Sequence, residues 1–183
     1  RELLEALKKL LQQGHDFADL TPQMLAKAAG ISRPTFYFYF ESKYQALGAA
    51  LLEVQTAMQE HADILFKGAH EDPLQELQQA LQGVLATWQA EKLLMRAFVQ
   101  GAASDAKLWQ QLEAFVGSFI PPTAHSIVEI HKSQGRNTDS RAAIELATAL
   151  LWGNERNLYR ATVSDFKSKD WRNLLQTITA IWA

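Results

Sequence analysis

Apolar residues recur every three or four positions along most of the chain, which is the spacing of one face of an α-helix. The first such stretch is followed by Gly14 and carries leucines at positions 3, 4, 7, 10 and 11. Glycine readily adopts the left-handed conformation that closes a helix. We therefore expect the first helix to end at Gly14.

Two helix-start motifs follow at short intervals. Thr21 and the proline after it form a cap and a first helical residue, so they predict a second helix over Pro22–Ala29 that stops at Gly30. Ser32 is placed to cap a third helix. Pro34 lies in the first turn of that helix, where its missing amide hydrogen has no helical partner to lose.

Longer helices are predicted after this point, and together they indicate an all-α fold. Ser42 caps a fourth helix over Ser42–Phe66, and a break follows at Lys67–Pro73. Residues 135–139 read as a polar loop, and Pro121-Pro122 should kink or split the helix that contains it. The remaining helices are predicted over residues 73–89, 91–104, 106–134, 140–163 and 168–182.

The composition supports long helices around a packed core. Of the 183 residues 48% are hydrophobic and 21% are charged, and there are only nine glycines and five prolines to make turns. Cysteine is absent, so disulfides and thiol nucleophiles are excluded. No apolar run is long enough for a membrane span and no signal peptide opens the sequence, so we expect a cytoplasmic protein. Because the first residue is Arg1 rather than methionine, we expect further residues before it.

The charge is close to neutral but unevenly placed. The formal net charge is −2. Residues 1–47 carry six lysines and arginines against five acidic residues, whereas residues 48–183 carry twelve against fifteen. A strongly basic chain would indicate nucleic-acid binding directly. The uneven distribution fits a front segment that faces DNA, but by itself it does not indicate DNA binding.

The front segment has the pattern of a helix-turn-helix. Two short helices are joined by a turn of three to four residues that contains glycine. Ala26 allows the helices to approach each other, and Gly30 can take a left-handed conformation without steric cost. Ile31 is predicted to fill the core below the turn. Phe36 and Phe40, four residues apart on the third helix, should pack inward together.

The opposite face of the third helix is predicted to enter the major groove of DNA. Arg33 can bind guanine through two hydrogen bonds, and Pro34 and Thr35 offer apolar contact to a thymine methyl group. Hydroxyl and ammonium groups on the flanking residues suit phosphate. The alternative is an ordinary solvated helix face. The predicted DNA contacts are Thr21, Ser32, Arg33, Pro34, Thr35, Tyr37, Tyr39 and Lys43.

The run GISRPTFYFYFESK over residues 30–43, with LTPQMLAKAA over residues 20–29, resembles the signature of the TetR family of transcriptional regulators. Pro34 stands where that family often has glycine, and Phe38 where it often has histidine. The resemblance implies a DNA-binding domain over residues 1–47 and a helical ligand-binding and dimerisation domain over residues 48–183. It further implies a homodimer that forms through the last two helices.

Aromatic residues are unusually frequent in the second part of the chain. Core packing explains any single one of them, but a largely apolar cavity with few polar groups is typical of a small-molecule site. Asn154 lies in an apolar helix, where its amide must be hydrogen-bonded. Its partner is either a neighbouring group, a dimer partner or a ligand. Residues 31–40, 146–150 and 154–156 resemble a mycobacterial member of the family, and that resemblance implies the ligand. The predicted lining residues are Trp88, Phe98, Trp109, Phe115, Phe119 and Asn154.

The sequence carries no pattern that indicates catalysis. His125 and His131 are six residues apart and do not share a helical face, and no zinc-binding histidine spacing occurs. There is no phosphate-binding loop, nucleophile elbow or dinucleotide fingerprint. We therefore expect no metal, no cofactor and no enzyme activity.

Taken with the family resemblance, these patterns imply a ligand-responsive repressor. It would bind a palindromic DNA operator as a homodimer and be released by a small apolar or amphipathic ligand in the C-terminal bundle. The alternative is a helical protein that binds a small molecule or a partner and has no DNA affinity. The near-neutral charge leaves that alternative open.

Overall fold

The computed structural model describes residues 2–67 and 71–182, which contain α-helices and no strand. The predicted all-α fold is therefore confirmed. The elements are α1 Glu2–Gln12, a short 3-10 turn Phe17–Asp19, α2 Pro22–Ala28, α3 Arg33–Tyr39, α4 Lys43–Ala50, α5 Leu52–Phe66, α6 Pro73–Ala90, α7 Lys92–Ala102, α8 Ala106–Ser118, α9 Ile120–Ser133, α10 Ser140–Val163 and α11 Ser168–Trp182.

The predicted fourth helix is interrupted once. The amide of Leu51 bonds to the carbonyl of Gly48 at 3.3 Å, three residues back rather than four, and α5 begins at the next residue. Such a tightened last turn ends an α-helix without glycine or proline at the break. The sequence therefore carries no local marker for it. Residues 68–70 of the predicted break after α5 lie outside the described residues.

The predicted split near the two prolines is confirmed. α8 ends at Ser118, and α9 begins at Ile120 with Pro121 and Pro122 in its first turn. Prolines are tolerated there because the first amides of a helix have no helical acceptor.

The chain forms two compact units. The first consists of Arg1–Gln55 and Glu91–Leu112, so α7 and the start of α8 join the N-terminal helices. α1 packs on α2, α4 and α7, and α2 packs on α3. The core of the N-terminal helices is therefore completed by α4 and by α7 from later in the chain. This core includes the fully buried residues Leu7, Leu20, Leu25, Phe36, Leu47, Leu94 and Phe98.

The second unit consists of Thr56–Ala90 and Glu113–Ala183. α9 and α10 pack along each other through small residues, with Ala124, Ala143 and Ala147 buried between them. α11 packs on α6 and α10. These units do not follow the predicted functional boundary between residues 47 and 48, which stays a prediction. No helix in the described part of the chain is long and apolar enough to cross a bilayer.

Candidate nucleic-acid interface and candidate ligand site

The turn between α2 and α3 is built by local hydrogen bonds. Thr21 Oγ1 accepts a hydrogen bond from the amide of Met24 at 3.2 Å and caps α2. At the other end, Gly30 has a φ of 69°, and the amide of Ile31 reaches back to the carbonyl of Ala26 at 3.0 Å. This pattern is the Schellman motif, which requires a left-handed residue at the glycine position. The predicted helix-turn-helix is therefore present.

α3 is held in place by the cap before its first residue and by the packing of one of its faces. Ser32 Oγ accepts from the amide of Thr35 at 3.1 Å and shares a second hydrogen bond with Thr35 Oγ1 at 2.7 Å. Phe36 is fully buried and its ring centre lies 5.7 Å from that of the half-buried Phe40. These two rings anchor α3 inward, as predicted. Ile31 is half-buried rather than enclosed in the core.

The remaining face of α3 is presented outward. We call it the recognition face, defined by Arg33, Pro34, Thr35, Tyr37 and Tyr39. All of these except the half-buried Thr35 are exposed. The guanidinium carbon of Arg33 lies 5.6 Å from the centre of the Tyr37 ring, a cation–π contact. The contact orients a planar, permanently charged donor at the start of the helix.

Lys43 is placed differently from the other predicted DNA contacts. Its ammonium donates hydrogen bonds to the carbonyls of Phe17 at 3.0 Å and Ala18 at 2.6 Å, and it lies 5.0 Å from the Phe17 ring centre. Burial lowers the pKa of Lys43, and the carboxylate of Asp19 opposes that shift. Lys43 thus ties the 3-10 turn to the start of α4. Its contact with phosphate stays a prediction, with one ammonium hydrogen left for it.

Two side chains of α8 make contacts within the first unit that were not predicted from the sequence. Lys107 Nζ lies 2.7 Å from Glu41 Oε2, in the turn after α3. The pair lowers the pKa of Glu41 and raises that of Lys107 through their hydrogen bond and mutual charge. Gln111 Nε2 donates to the carbonyl of Gly48 at 2.9 Å. These residues are more than 60 positions apart in sequence, so no local pattern could indicate them.

The predicted ligand-lining residues are divided between the two units. Phe98 on α7 is fully buried in the first unit, and Trp109 on α8 is 41% exposed there. Trp88, Phe115, Phe119 and Asn154 belong to the second unit. Within that unit the ring centres of Phe115 and Phe119 lie 5.0 Å apart, edge to face, and the ring of Phe66 lies 6.2 Å from Phe119. Phe66 was not among the predicted residues.

Two indole groups of the second unit have side-chain acceptors. Trp88 Nε1 donates to Thr162 Oγ1 at 2.8 Å in a fully enclosed position, which supplies the partner that a buried tryptophan needs. Trp182 Nε1 donates to Asn154 Oδ1 at 3.1 Å. The predicted need of Asn154 for a partner is therefore met by Trp182 on α11 of the same chain. Among the described residues, nothing accepts from its Nδ2 group.

Several buried polar atoms of the second unit lack a partner among the described residues. Glu155, next to Asn154, is only 5% exposed; its Oε1 makes no hydrogen bond and its Oε2 lies 3.9 Å from Arg156 Nε. Burial raises the pKa of this carboxyl, and the charge of Arg156 opposes the shift. Thr123 Oγ1 and Ser126 Oγ on α9 are also buried and unpaired. Unpaired buried groups are costly, so each calls for an explanation.

The capped helix-turn-helix with an exposed recognition face, followed by a separate helical unit, defines a helix-turn-helix regulator. Comparison with known proteins agrees. A family described as "Bacterial regulatory proteins, tetR family" matches residues 3–50, and one described as "Transcriptional regulator EthR, C-terminal domain" matches residues 77–183. The chain belongs to the TetR family of transcriptional regulators. The family resemblance noted in the sequence is thus confirmed, and the matched families are regulators rather than enzymes.

Individual relatives support the assignment over the whole length. The HTH-type transcriptional regulator EthR of Mycobacterium tuberculosis is 30% identical over 188 residues, an alignment that covers 100% of this chain and 85% of the relative. Two solved structures share the fold. Regulatory protein TetR from Rhodobacter sphaeroides has a TM-score of 0.70 at 17% identity, with 98% of this chain and 96% of that one covered. FadR from Bacillus subtilis, in complex with stearoyl-CoA, has a TM-score of 0.70 at 14% identity, with 99% and 96% covered.

Proposed function

We propose that this regulator is a homodimeric repressor that binds a palindromic DNA operator and is released by a small apolar or amphipathic ligand. The observation that supports DNA binding most directly is the recognition face. It is anchored inward by Phe36, capped by Ser32, and presents Arg33 stacked on Tyr37. An oriented arginine at the start of a recognition helix is suited to bidentate contact with guanine in the major groove.

The dimer is supported by the surface of the last two helices. Ile144, Leu146 and Val163 on α10 and Ile181 on α11 are large apolar side chains that are at least 43% exposed. Large exposed apolar side chains on these two helices are the kind of surface that a partner subunit would cover. In a two-fold dimer the two recognition helices would meet half-sites about one helical turn of DNA apart, or a multiple of it, so the operator would be a palindrome.

The ligand site is proposed in the second unit, beside Asn154. The Nδ2 group of Asn154, which has no acceptor among the described residues, would offer a hydrogen bond to an acceptor such as a carbonyl, and the rings of Phe66, Phe115 and Phe119 in the same unit would supply apolar surface. A ligand there would shift the protein between DNA-bound and released states only by its different affinity for the two.

The test is a gel-shift titration against the chromosomal region upstream of the protein's own gene, at two salt concentrations. Specific binding of the wild type is expected, and Arg33→Ala should weaken it by about 1–3 kcal/mol and relax one operator position. Arg136→Ala, an exposed arginine of the second unit, is the control and should bind as the wild type does. Equal loss of affinity for specific and random duplexes would make Arg33 a phosphate contact only. No specific binding at all would favour a helical ligand- or partner-binding protein.

A further inference from the structure

Phe38 is the one phenylalanine of the chain that is exposed. All nine lie in the described residues, and the other eight are buried or half-buried. Phe38 is 82% exposed, more than any other large apolar side chain there. Tyr37 and Tyr39 on either side are 44% and 63% exposed, so three consecutive rings face solvent. A large apolar side chain this exposed, with exposed tyrosines on either side, is suited to a contact surface.

The position of Phe38 on α3 gives that surface its direction. Residues three and four apart are neighbours on a helix, so Phe38 stands beside Thr35 and Pro34 of the recognition face. Arg33 and Tyr37 form the adjacent row. The Phe38 ring also packs edge to face on Tyr39, with centres 5.1 Å apart. Phe38 therefore extends the outward face of a helix whose inward face is fixed by Phe36.

The chemistry of the side chain limits what it can recognise. A phenylalanine ring has no hydrogen-bonding group, so it cannot bind phosphate oxygens or the polar base edges, as the neighbouring hydroxyls and guanidinium can. The apolar feature that the major groove displays at particular base pairs is the 5-methyl group of thymine, and phenylalanine is among the side chains that contact it.

We propose that Phe38 is a specificity-determining residue that reads a thymine methyl group in each operator half-site. The proposal rests on the proposed DNA-binding function and adds to it a defined base preference. Pro34 and Thr35 lie on the same side and would line the same methyl-binding surface. Affinity for the operator then depends on a methyl group rather than only on charge and hydrogen bonds.

The experiment removes the methyl group and the ring in turn. An operator duplex is first defined by footprinting, and its thymines are then replaced one at a time by uracil, which lacks only the 5-methyl group. At one position per half-site the affinity of the wild type should fall about fourfold, which is the effect of losing one methyl group that is buried away from water. Phe38→Ala should bind the thymine duplex more weakly and show no further loss with uracil.

Three controls keep the outcome interpretable. Leu74→Ala removes an exposed apolar side chain of the second unit and should keep the full methyl sensitivity of the wild type. Phe38→Leu keeps an apolar side chain and should retain part of it, and this variant carries the test if Phe38→Ala binds too weakly to measure. The dependence of affinity on salt should be the same for Phe38→Ala and the wild type, because no phosphate contact is lost.

Two results would overturn the proposal. The first is an equal uracil effect in the wild type and in the measurable Phe38 variant, which would assign the methyl contact to Pro34 or Thr35. The second is no uracil effect at any position in the wild type, which would place Phe38 against deoxyribose or away from DNA. Both leave the proposed function intact, whereas its failure would appear earlier as the absence of any specifically bound duplex.

Discussion

Asn154 on α10 accepts a hydrogen bond from the indole of Trp182 on α11, and this contact fixes which half of the amide is left for a ligand. The oxygen accepts from the indole at 3.1 Å, whereas the nitrogen has no acceptor within residues 2–67 and 71–182. The half-buried Asn154 can therefore donate a hydrogen bond from its nitrogen to the proposed ligand. The two helices that carry the pair are also those proposed to form the dimer.

Asn154→Leu should remove both functions of the amide. We expect a loss of stability of about 0.5–1.5 kcal/mol, the ordinary net value of one hydrogen bond. DNA binding without ligand should be unchanged, while release of DNA by long-chain alkyl amides should be lost. Urea unfolding, gel shifts and the NMR signal of the Trp182 indole hydrogen measure the three effects. Asn157→Leu also removes an amide, which donates to the carbonyl of Gly153 at 2.9 Å, so it is the control for ligand response and should keep the release of DNA. Loss of DNA binding in Asn154→Leu would make Asn154 structural.

Glu155 should make stability depend on pH in an unusual direction. Burial raises the pKa of its carboxyl in the folded protein above the ordinary value of 4.5. As pH rises past 4.5 the carboxyl ionises in the unfolded chain before it ionises in the folded protein. The free energy of unfolding therefore falls until the folded-state pKa is passed, and it stays lower above that pH. Unfolding of the wild type and Glu155→Gln, followed from acid to neutral pH, should show the variant gaining relative stability as pH rises.

The matched control for that measurement is Glu113→Gln, which replaces an exposed glutamate of the same unit. Its stability relative to the wild type should not rise over the same pH range. A constant difference between wild type and Glu155→Gln at all pH values would show that the Glu155 carboxyl is not perturbed in solution.

Lys43→Met should loosen the N-terminal unit. The carbonyls of Phe17 and Ala18 lose their shared donor and the Phe17 ring loses the ammonium that lies over it, so we expect a loss of about 1–2 kcal/mol. Lys27→Met, an exposed lysine on α2, should be neutral for stability. Thermal unfolding compares the two. The salt dependence of DNA binding tests the predicted phosphate contact separately. If Lys43 binds phosphate, the slope of log affinity against log salt concentration should fall in magnitude by about one in Lys43→Met.

Local signals in the sequence predicted the DNA-facing elements well. The side chains of Thr21, Ser32 and Ser42 each accept from an amide three residues ahead, and the turn at the left-handed Gly30 is closed by a hydrogen bond that spans five positions. At each cap a single serine or threonine side chain decides the backbone conformation, and at Gly30 the lack of a side chain does so. Such residues can be identified directly in one sequence.

What the sequence did not predict depends on residues far apart in the chain. The inward course of Lys43 is decided by carbonyls 25 and 26 positions away, and the Glu41–Lys107 pair spans 66 positions. The same reason limits the ligand site. Phe98 and Trp109 belong to one compact unit and Trp88 to the other, so their joint lining of a ligand site stays a prediction.

The contact between Gln111 and Gly48 has a consequence for how related sequences can vary. A β-carbon at position 48 would come within 2.2 Å of Gln111 Oε1, so alanine there would push the amide aside and break its bond to the carbonyl of residue 48. A side chain at position 48 is therefore accommodated most easily together with a shorter residue at position 111. These two positions, far apart in the gene, should drift together during evolution.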